Sequence, residues 1–296
     1  VQSNTVVGPG SDAAVIRIKG TSKALAMVLD GPGFQVAHNP REGARAAVAE
    51  ACRNLVCSGA RPLAATNCLN FGNPEHPEVM WQFSEVIDGI SEACRIFDTP
   101  ITGGNVSFYN ETFEDDIFPT PVIGMVGLIE DLNLVTTANF KEKGDRILLL
   151  EPSSRSEKIN LDEELAMQIL VLDLIRDGVV RSAHDLSEGG FATAVAECCF
   201  SNGSHNSIGA EVVVPSHLEV CRDMFGEFPS RIILTSREPE HLCKRTLGHG
   251  LTLHELGQVG GNRLVIDYEG VKAVDVKIGE LERAWRNGLP HFLEKS

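Results

Sequence analysis

The sequence predicts an α/β protein built from two domains. Apolar residues alternate along the chain between short strand-like runs and longer runs at helical spacing, which is typical of mixed strands and helices. The chain has 296 residues, of which 43% are hydrophobic and 23% charged, and this balance is typical of folded rather than disordered proteins. A chain of this length divides into about two domains.

The first block of the chain predicts a hairpin, a helix and a strand in succession. Residues 13–18 and 24–29 are short apolar runs separated by a turn at 20–23, which indicates two antiparallel strands. Residues 42–57 carry small apolar side chains at helical spacing, and residues 61–68 follow as a strand.

A second helix and two further strands complete this block. Pro77 is suited to a first helical turn, and Pro100 follows the end of the helix that Pro77 opens. Residues 101–109 and 122–129 have strand-like patterns. The apolar face of the predicted helix consists of Val79, Phe83, Val86, Ile87, Ile90, Cys94 and Phe97.

The domain boundary is expected in the polar stretch 131–145. We therefore assign residues 1–140 to an N-terminal domain and residues 141–296 to a C-terminal domain, each with its own core.

The second block again mixes strands and helices. It opens with a buried-type strand at 146–150 and a helix at 162–177, which Asn160 and Glu163 would cap. A loop is expected at 182–190. The remaining predicted elements are helices at 191–200, at 217–224 and from residue 239, and strands at 208–214, 231–235 and 263–266.

The acidic composition argues against a nucleic-acid partner. The chain has 26 Lys and Arg against 41 Asp and Glu, a net charge of −15, and no Lys/Arg run longer than two. Such a chain repels phosphate backbones unless it carries a concentrated basic face. No apolar run approaches the roughly 18–20 residues that a membrane-spanning helix needs, so neither nucleic acid nor membrane is expected as a partner.

The cysteines predict a cytoplasmic protein. The eight cysteines include no Cys-x-x-Cys pair and no histidine at zinc-finger spacing, so we expect reduced thiols. The N-terminus has no secretory signal pattern. It also lacks an initiator Met, which suggests a chain cut from a longer protein.

Glycine and asparagine are concentrated in loops where strands are expected to end. Such loops let a backbone approach an anion and offer amide donors, although each is also ordinary turn punctuation. The chain has no Walker motif, and the pattern predicts no strand before its first glycine-rich loop, as a dinucleotide fold would need. The loops are Gly8–Asp12, Asp30–Gly33, Asn70–Pro74, Gly103–Ser107 and Glu188–Gly190.

One polar cluster leaves two interpretations open. Ser182, His184 and Asp185 are adjacent in sequence, whereas the members of a hydrolase triad must converge in space. The other interpretation is a loop that caps the next helix through Asp185 or Ser187.

A group of arginines in the first block also has two interpretations. The side chains either hold a phosphorylated ligand or form helix-surface ion pairs with Glu42 and Glu50. The four residues are Arg41, Arg45, Arg53 and Arg61.

Five longer segments together resemble one family. They are Gly8–Val15, Ala65–Pro74, Gly103–Glu111, Pro119–Gly127 and Ser182–Gly190. In this order they resemble the C-terminal half of phosphoribosylformylglycinamidine synthases, members of the aminoimidazole ribonucleotide synthetase superfamily. The resemblance implies a two-domain unit: an N-terminal domain with a mixed sheet and helices on one face, and a C-terminal layered α/β domain.

The resemblance implies an ATP-dependent carbon–nitrogen ligase. In that family, ATP activates an amide oxygen of formylglycinamide ribonucleotide, and ammonia from a glutaminase displaces the phosphate to give formylglycinamidine ribonucleotide. The implied cofactors are Mg²⁺ and ATP/ADP. The implied partners are the N-terminal half of the same enzyme, a glutaminase subunit or domain and the ribonucleotide substrate. A homodimer of this chain is a further possibility, because an unpaired interface exposes apolar surface.

Four residues take binding roles from the resemblance. Asn67 and Gly104 fall where the family contacts ATP. Asn105 aligns with a ligand of Mg²⁺, and its amide oxygen is a hard donor suited to that ion. Ser107 aligns with a contact to the ribonucleotide, and its hydroxyl can form hydrogen bonds. No catalytic residue is expected in this chain.

The sequence departs from the family's N-terminal half at three places. Leu29–Gly33, which includes Asp30, lacks the catalytic histidine found there, and Asn54 stands where that half has a metal-binding Asp. Gly226–Ser230 also differs from the corresponding substrate loop. These differences predict that the isolated chain does not turn over. The alternatives are an inactive nucleotide-binding scaffold or another ATP-using member of the superfamily.

Overall fold

The computed structural model describes residues 3–113, 115–154, 156, 158–201, 206–215 and 219–293, and they form two compact units. The expected domain boundary after residue 140 stays a prediction, and the chain passes to the second unit after Val135. The first unit comprises Asp12–Val135, Ser154–Asp173 and the N-terminal segment as far as Gly8; the second comprises Pro9–Ser11, Thr136–Ser153 and the chain from Leu174 onward.

The elements predicted for the first block occur in the first unit in the predicted order, together with short elements that the pattern did not predict and most of a helix that it placed in the second block. Its helices are α1 (Gly33–His38), α2 (Pro40–Cys57), α3 (Pro77–Ile96) and α4 (Leu161–Arg176), whose last residues belong to the second unit. Its strands are β1 (Thr5–Val7), β2 (Ala14–Arg17), β3 (Ala24–Asp30), β4 (Arg61–Asn70), β5 (Ile101–Ser107), β6 (Glu111–Thr112), β7 (Asp115–Asp116) and β8 (Thr120–Ile129).

The first unit is built on a six-stranded mixed sheet in the order β1-β2-β3-β8-β4-β5. β4 and β5 are parallel, and the other neighbours are antiparallel. Helix α2 packs against β3 and β8, with α3 beside it. On those strands Ala26 and Met125 are buried, whereas Leu29 and Val126 are exposed. The mixed sheet with helices on one face is therefore confirmed.

Helix α2 is positioned by its first turn and by a close approach to α3. The side chain of Asn39 accepts a hydrogen bond from the backbone N–H of Glu42 at 3.3 Å, which caps the helix. A Cβ atom at Gly89 in α3 would lie 2.4 Å from the carbonyl oxygen of Arg41, so glycine permits this packing. The helix begins slightly before the predicted range 42–57, at a proline.

The second unit has its own sheet and core. Its strands are β9 (Arg146–Pro152), β10 (Ser182–Asp185), β11 (Ala210–Val213), β12 (Ile232–Ser236), β13 (Leu251–Val259), β14 (Arg263–Tyr268) and β15 (Val271–Lys277). Its helices are α5 (Gly190–Cys198), α6 (Val220–Phe225), α7 (Pro239–Thr246) and α8 (Ile278–Leu293).

The second sheet has the order β10-β12-β9-β13-β11-β14-β15. Only the β11–β14 pair is parallel among these described strands. Phe191 and Val195 of α5 pack with Leu149 and Ile233 in one buried cluster. The α/β layering implied by the resemblance is thus confirmed for this unit.

The loop expected at 182–190 is partly wrong, because its first four residues form β10. This strand pairs with β12 in antiparallel register, and the hydroxyl groups of Ser182 and Thr235 share a 2.6 Å hydrogen bond. The polar composition of this segment led to the loop prediction. In the structure, the neighbouring strand supplies hydrogen-bond partners for polar groups that a loop would expose to water. Consecutive strand residues alternate between faces, which argues against a triad of adjacent residues.

The capping interpretation of the same segment is also wrong. The residue before α5 is Gly189, in the left-handed region with φ of 74°, and no side chain caps the helix there. A glycine turn therefore replaces the expected cap from Asp185 or Ser187.

Several elements were not expected from the pattern. The sequence mixes apolar with charged residues at β13, β15 and α8. The two strands form because β13 pairs with β9 and β15 pairs with β14. Part of the helix expected at 217–224 lies outside the described residues, and α6 covers the remainder. Among the residues that the structure describes, no helix is long and apolar enough to cross a bilayer.

Candidate functional site

The parallel pair β4–β5 brings together the four site residues taken from the resemblance. Its register sets Asn67 beside Gly104, Cys68 beside Asn105, and Asn70 beside Ser107. Strand β5 lies at the edge of the sheet and is exposed along most of its length. The pair therefore presents amide and hydroxyl side chains on an accessible edge.

Gly104 lies in close contact with Asn67. A Cβ atom at position 104 would lie 2.0 Å from Oδ1 of Asn67 and 2.9 Å from its backbone carbonyl oxygen, so the neighbouring strand would have to shift. A Cβ atom at Gly103 would have no neighbouring atom within 4 Å. Only the second of these two glycines is therefore required by the neighbouring strand.

Asn105 follows Gly104 and has an exposed side chain. Its amide nitrogen donates to the Sγ atom of Cys68 at 3.8 Å. Mg²⁺ commonly takes one or two protein ligands and fills its remaining positions with water and phosphate oxygens. The side-chain chemistry of Asn105 fits such a shared ion, and an ion held by this chain alone would need more protein ligands.

Ser107 is fixed by a network that begins on the following loop. The side-chain nitrogen of Asn110 donates to the carbonyl oxygens of Phe71 at 2.9 Å and Ser107 at 3.0 Å. The same nitrogen lies 3.2 Å from Oγ of Ser107. Asn110 belongs to a motif quoted for the resemblance, but its positioning role becomes visible only in the structure.

Two of the three places where the resemblance implies a departure, at Asp30 and at Asn54, contact each other. Asn54 is buried and donates to Oδ1 of Asp30 at 3.2 Å. Arg53 is also buried, and its guanidinium lies 3.1 Å from Oε1 of Glu164. An amide at position 54 suits this contact, because it can donate to the carboxylate where an aspartate would repel it.

Three of the four arginines, Arg41, Arg45 and Arg53, form ion pairs. Arg41 pairs with Glu92 and lies within 4 Å of Glu85 and Asp88, while Arg45 contacts Glu42 at 2.7 Å. The ion-pair interpretation is therefore right for Arg45 and Glu42, and the other partners come from α3 and α4. Arg53 does not support the phosphate-binding interpretation, because its charge is buried.

The motifs at 182–190 and 226–230 meet in the second unit. The backbone N–H of Gly189 donates to Oε1 of Glu227 at 3.1 Å. A Cβ atom at Gly190 would lie 2.6 Å from the backbone of Phe225. The buried guanidinium of Arg231 donates to the carbonyl oxygen of Gly226 at 2.7 Å. The sequence alone contained no indication of this proximity.

A second polar cluster could not be found from the sequence pattern. It comprises His76 at the start of α3, Glu111 on β6 and Asp116 on β7, whose ligand-type atoms lie within 4.8 Å of one another. The hydrogen bond with Asp116 raises the pKa of His76. The backbone N–H of Asn73 and the contact with His76 lower the pKa of Asp116.

Two family models match the chain in succession. "AIR synthase related protein, N-terminal domain" matches residues 10–129. "AIR synthase related protein, C-terminal domain" matches residues 132–269.

Two curated relatives share the name phosphoribosylformylglycinamidine synthase subunit PurL. The relative from Alkaliphilus metalliredigens is 45% identical over 99% of this chain and 42% of its own length. The relative from Moorella thermoacetica is 41% identical over 100% of this chain and 42% of its own length. The chain thus spans less than half the length of these relatives.

Solved structures share the fold. Thermotoga maritima PurL complexed with ATP has a TM-score of 0.78 at 17% identity, covering 91% of this chain and 46% of that one. The same protein complexed with FGAR has a TM-score of 0.77 at 16% identity, with 91% and 47% covered. With the sheets and register described above, the two successive model matches show that this chain belongs to the AIR synthase related protein family.

Proposed function

We propose that this chain is the C-terminal half of an ATP-dependent phosphoribosylformylglycinamidine synthase. The observation that carries the proposal is the 45% identity to a PurL subunit across 99% of this chain but 42% of the relative. Fold relatives complexed with ATP, ADP and FGAR support a nucleotide and a ribonucleotide as ligands.

The proposed reaction forms a carbon–nitrogen bond at the expense of ATP. The glycinamide carbonyl oxygen of formylglycinamide ribonucleotide takes the γ-phosphoryl group and gives an iminophosphate and ADP. Ammonia then attacks the amide carbon, and phosphate leaves with the oxygen to give formylglycinamidine ribonucleotide. The protein's task is to position these charged groups and stabilise them.

This chain would contribute binding groups to that reaction. Asn67 and Gly104 would receive the nucleotide where β4 and β5 lie side by side, and Ser107 would donate to the ribonucleotide. Asn105 would hold Mg²⁺ together with phosphate oxygens, and the ion would neutralise charge on the triphosphate. The catalytic base would come from elsewhere, because the Leu29–Gly33 segment has no histidine.

The partners follow from the same proposal. The N-terminal half would pair with the exposed sheet face that carries Leu29 and Val126, beside the edge strand β5. A glutaminase subunit or domain would supply ammonia. In the absence of the other half, a homodimer would cover the same face. The cytoplasmic location expected from the sequence stays a prediction.

An inactive nucleotide-binding scaffold is the second candidate. The contact between Asn54 and Asp30 favours it, because an amide occupies the place of a metal-binding carboxylate and is already engaged. The two candidates differ in whether the chain supports synthesis once the missing half is present.

Calorimetric titration with Mg-ADP tests the nucleotide site. We expect saturable binding to the chain, at least about tenfold weaker in Asn105→Ala, a loss of about 1.4 kcal/mol. Asn262→Ala is a matched control, because this asparagine is exposed and lies in the second unit. It accepts a hydrogen bond through its backbone carbonyl, which the substitution keeps. No synthase rate is expected from the chain with ammonium alone. A measured rate would contradict the proposal that this chain lacks the catalytic base.

A further inference from the structure

The cluster of His76, Glu111 and Asp116 lies apart from the four residues assigned to nucleotide, Mg²⁺ and ribonucleotide. The three residues come from three elements of the first unit: the start of α3, β6 and β7. Each directs one nitrogen or oxygen toward the others, within 4.8 Å. An imidazole nitrogen with two carboxylate oxygens is a donor set that binds divalent first-row metals.

The two carboxylates of the cluster face each other directly. The register of the β6–β7 hairpin pairs Glu111 with Asp116, and like charges in directly opposite positions destabilise a strand pair. The hairpin segment 111–116 adds Glu114 and Asp115 to the same short stretch of sequence. A cation between the strands would remove this repulsion.

Asp116 is already oriented for such a cation. Its Oδ1 atom accepts the backbone N–H of Asn73 at 2.6 Å, and its Oδ2 atom lies 2.8 Å from Nδ1 of His76. A Cβ atom at Gly72 would lie 2.0 Å from Oδ1 of Asp116, so this glycine leaves room for the carboxylate. Outer contacts of this kind fix a ligand's direction in metal sites.

The remaining two ligands can adjust to an ion. His76 and Glu111 have exposed side chains, so small rotations can bring their donor atoms to the roughly 2.0–2.2 Å that such metals require. Binding would replace the hydrogen bond between Nδ1 of His76 and Oδ2 of Asp116 with contacts to the ion. The imidazole distinguishes this donor set from the all-oxygen sets that Mg²⁺ and Ca²⁺ prefer.

We infer that His76, Glu111 and Asp116 form a binding site for a divalent transition-metal ion. The ion fastens the β6–β7 hairpin to the start of α3. That hairpin follows Asn110, the residue that fixes Ser107, so the ion also steadies the loop beyond the edge strand.

Titration of the whole chain with Mn²⁺, followed by electron paramagnetic resonance of the free ion, tests the inference without nucleotide. Mn²⁺ is chosen because it favours nitrogen and oxygen ligands over the exposed thiols of Cys221 and Cys243. We expect one saturable site that is at least about tenfold weaker in His76→Asn, Glu111→Gln and Asp116→Asn.

Two control variants separate binding by the three ligands from binding elsewhere on the chain. Asp115→Asn removes the same charge from the same hairpin without touching the three ligands, and Asn105→Ala removes the residue proposed for Mg²⁺. Both should bind Mn²⁺ as the parent chain does. Equal weakening in Asp115→Asn would show a diffuse acidic surface and overturn the inference.

The remaining outcomes are also decisive. Absence of saturable binding at about 1 mM Mn²⁺, or loss of binding only in Asn105→Ala, would overturn the inference. Thermal unfolding of each variant with and without Mn²⁺ guards against misfolding. The ion should raise the midpoint of the parent chain and of Asp115→Asn, but not the midpoint of Glu111→Gln, whose exposed side chain leaves the core unchanged.

Discussion

A methyl group at position 104 would collide with Asn67, whereas one at position 103 would enter open space. The two glycines look alike in the sequence, and the neighbouring strand distinguishes them. Glycine at 104 lets the backbone of β5 pass the amide of Asn67 closely, and that proximity defines the proposed nucleotide contact.

We therefore predict different effects for the two alanine substitutions. Gly104→Ala should destabilise the first unit by about 1–3 kcal/mol because the added carbon overpacks the strand pair. It should also weaken Mg-ADP binding by at least about tenfold. Urea denaturation and calorimetric titration measure the two effects. Gly103→Ala is the matched control, and equal losses in both variants would show that the contact with Asn67 is not the cause.

The partners of buried polar residues could not be predicted from single positions in the sequence. Arg53 belongs to a group of arginines whose sequence suited either an anion or surface ion pairs. Its guanidinium instead contacts Glu164, which is completely buried, and Gln168 donates to the same carboxylate at 2.7 Å. These partners lie more than a hundred positions away along the chain, so local pattern could not identify them.

At the scale of single elements, one carboxylate accepts several of the hydrogen bonds that attach α8 to the second unit. Glu282 accepts hydrogen bonds from the backbone and hydroxyl of Ser201, from the hydroxyl of Ser207 and from Arg286. Burial by itself raises the pKa of Glu282, but these donors outweigh it and lower the pKa to about 2. The ionised form therefore stabilises the packed helix.

The lowered pKa predicts an acid-dependent attachment of α8. The stabilising effect is fully present above the ordinary pKa of 4.5 and is lost as the pH falls toward about 2. Glu282→Gln should be less stable than the parent chain at neutral pH, by about 1–3 kcal/mol. This difference should shrink on acidification.

Urea denaturation at several pH values measures that difference. A Trp81→Phe background leaves Trp285 as the only tryptophan, and it reports on α8 because its ring packs on Phe200. Glu280→Gln is the control, since this residue is exposed on the same helix. A pH-independent deficit in Glu282→Gln would contradict the assignment.

For the whole molecule, the exposed face of the first sheet is the feature that points to a partner. Leu29 is 75% exposed and Val126 is 37% exposed, on neighbouring strands of that sheet. Large apolar surfaces of this kind mark interaction sites. The net charge of −15 is unfavourable for binding nucleic acid, and we propose a protein partner for this face.

We predict that the missing half restores activity through this face. Adding the N-terminal half and ammonium should give formylglycinamidine ribonucleotide synthesis, and Leu29→Lys should reduce the rate at subsaturating partner by at least about tenfold, because a charge would be buried at the contact. Val271→Lys places the same charge on an exposed position of β15 and should behave like the parent chain.

The two lysine variants should be equally stable in urea, since both positions are exposed. Full restoration by Leu29→Lys would show that the partner pairs elsewhere. Restoration by neither variant nor the parent chain would favour the scaffold interpretation.

The sequence by itself determined the mixture of strands and helices, most element positions in the first block and the resemblance to one family. These features depend on local periodicity, turn residues and ordered motifs, which the chain order preserves. Apolar runs such as 122–129 identify their strand because burial against a sheet requires them.

Only the tertiary structure decided which residues meet. It paired β4 with β5 and so set Asn67 beside Gly104, formed a strand from the polar Ser182–Asp185, and brought His76 to the β6–β7 hairpin. The physical reason is common to all three. Hydrogen bonding between strands and contact between distant side chains depend on register and packing, and a single sequence does not display these properties locally.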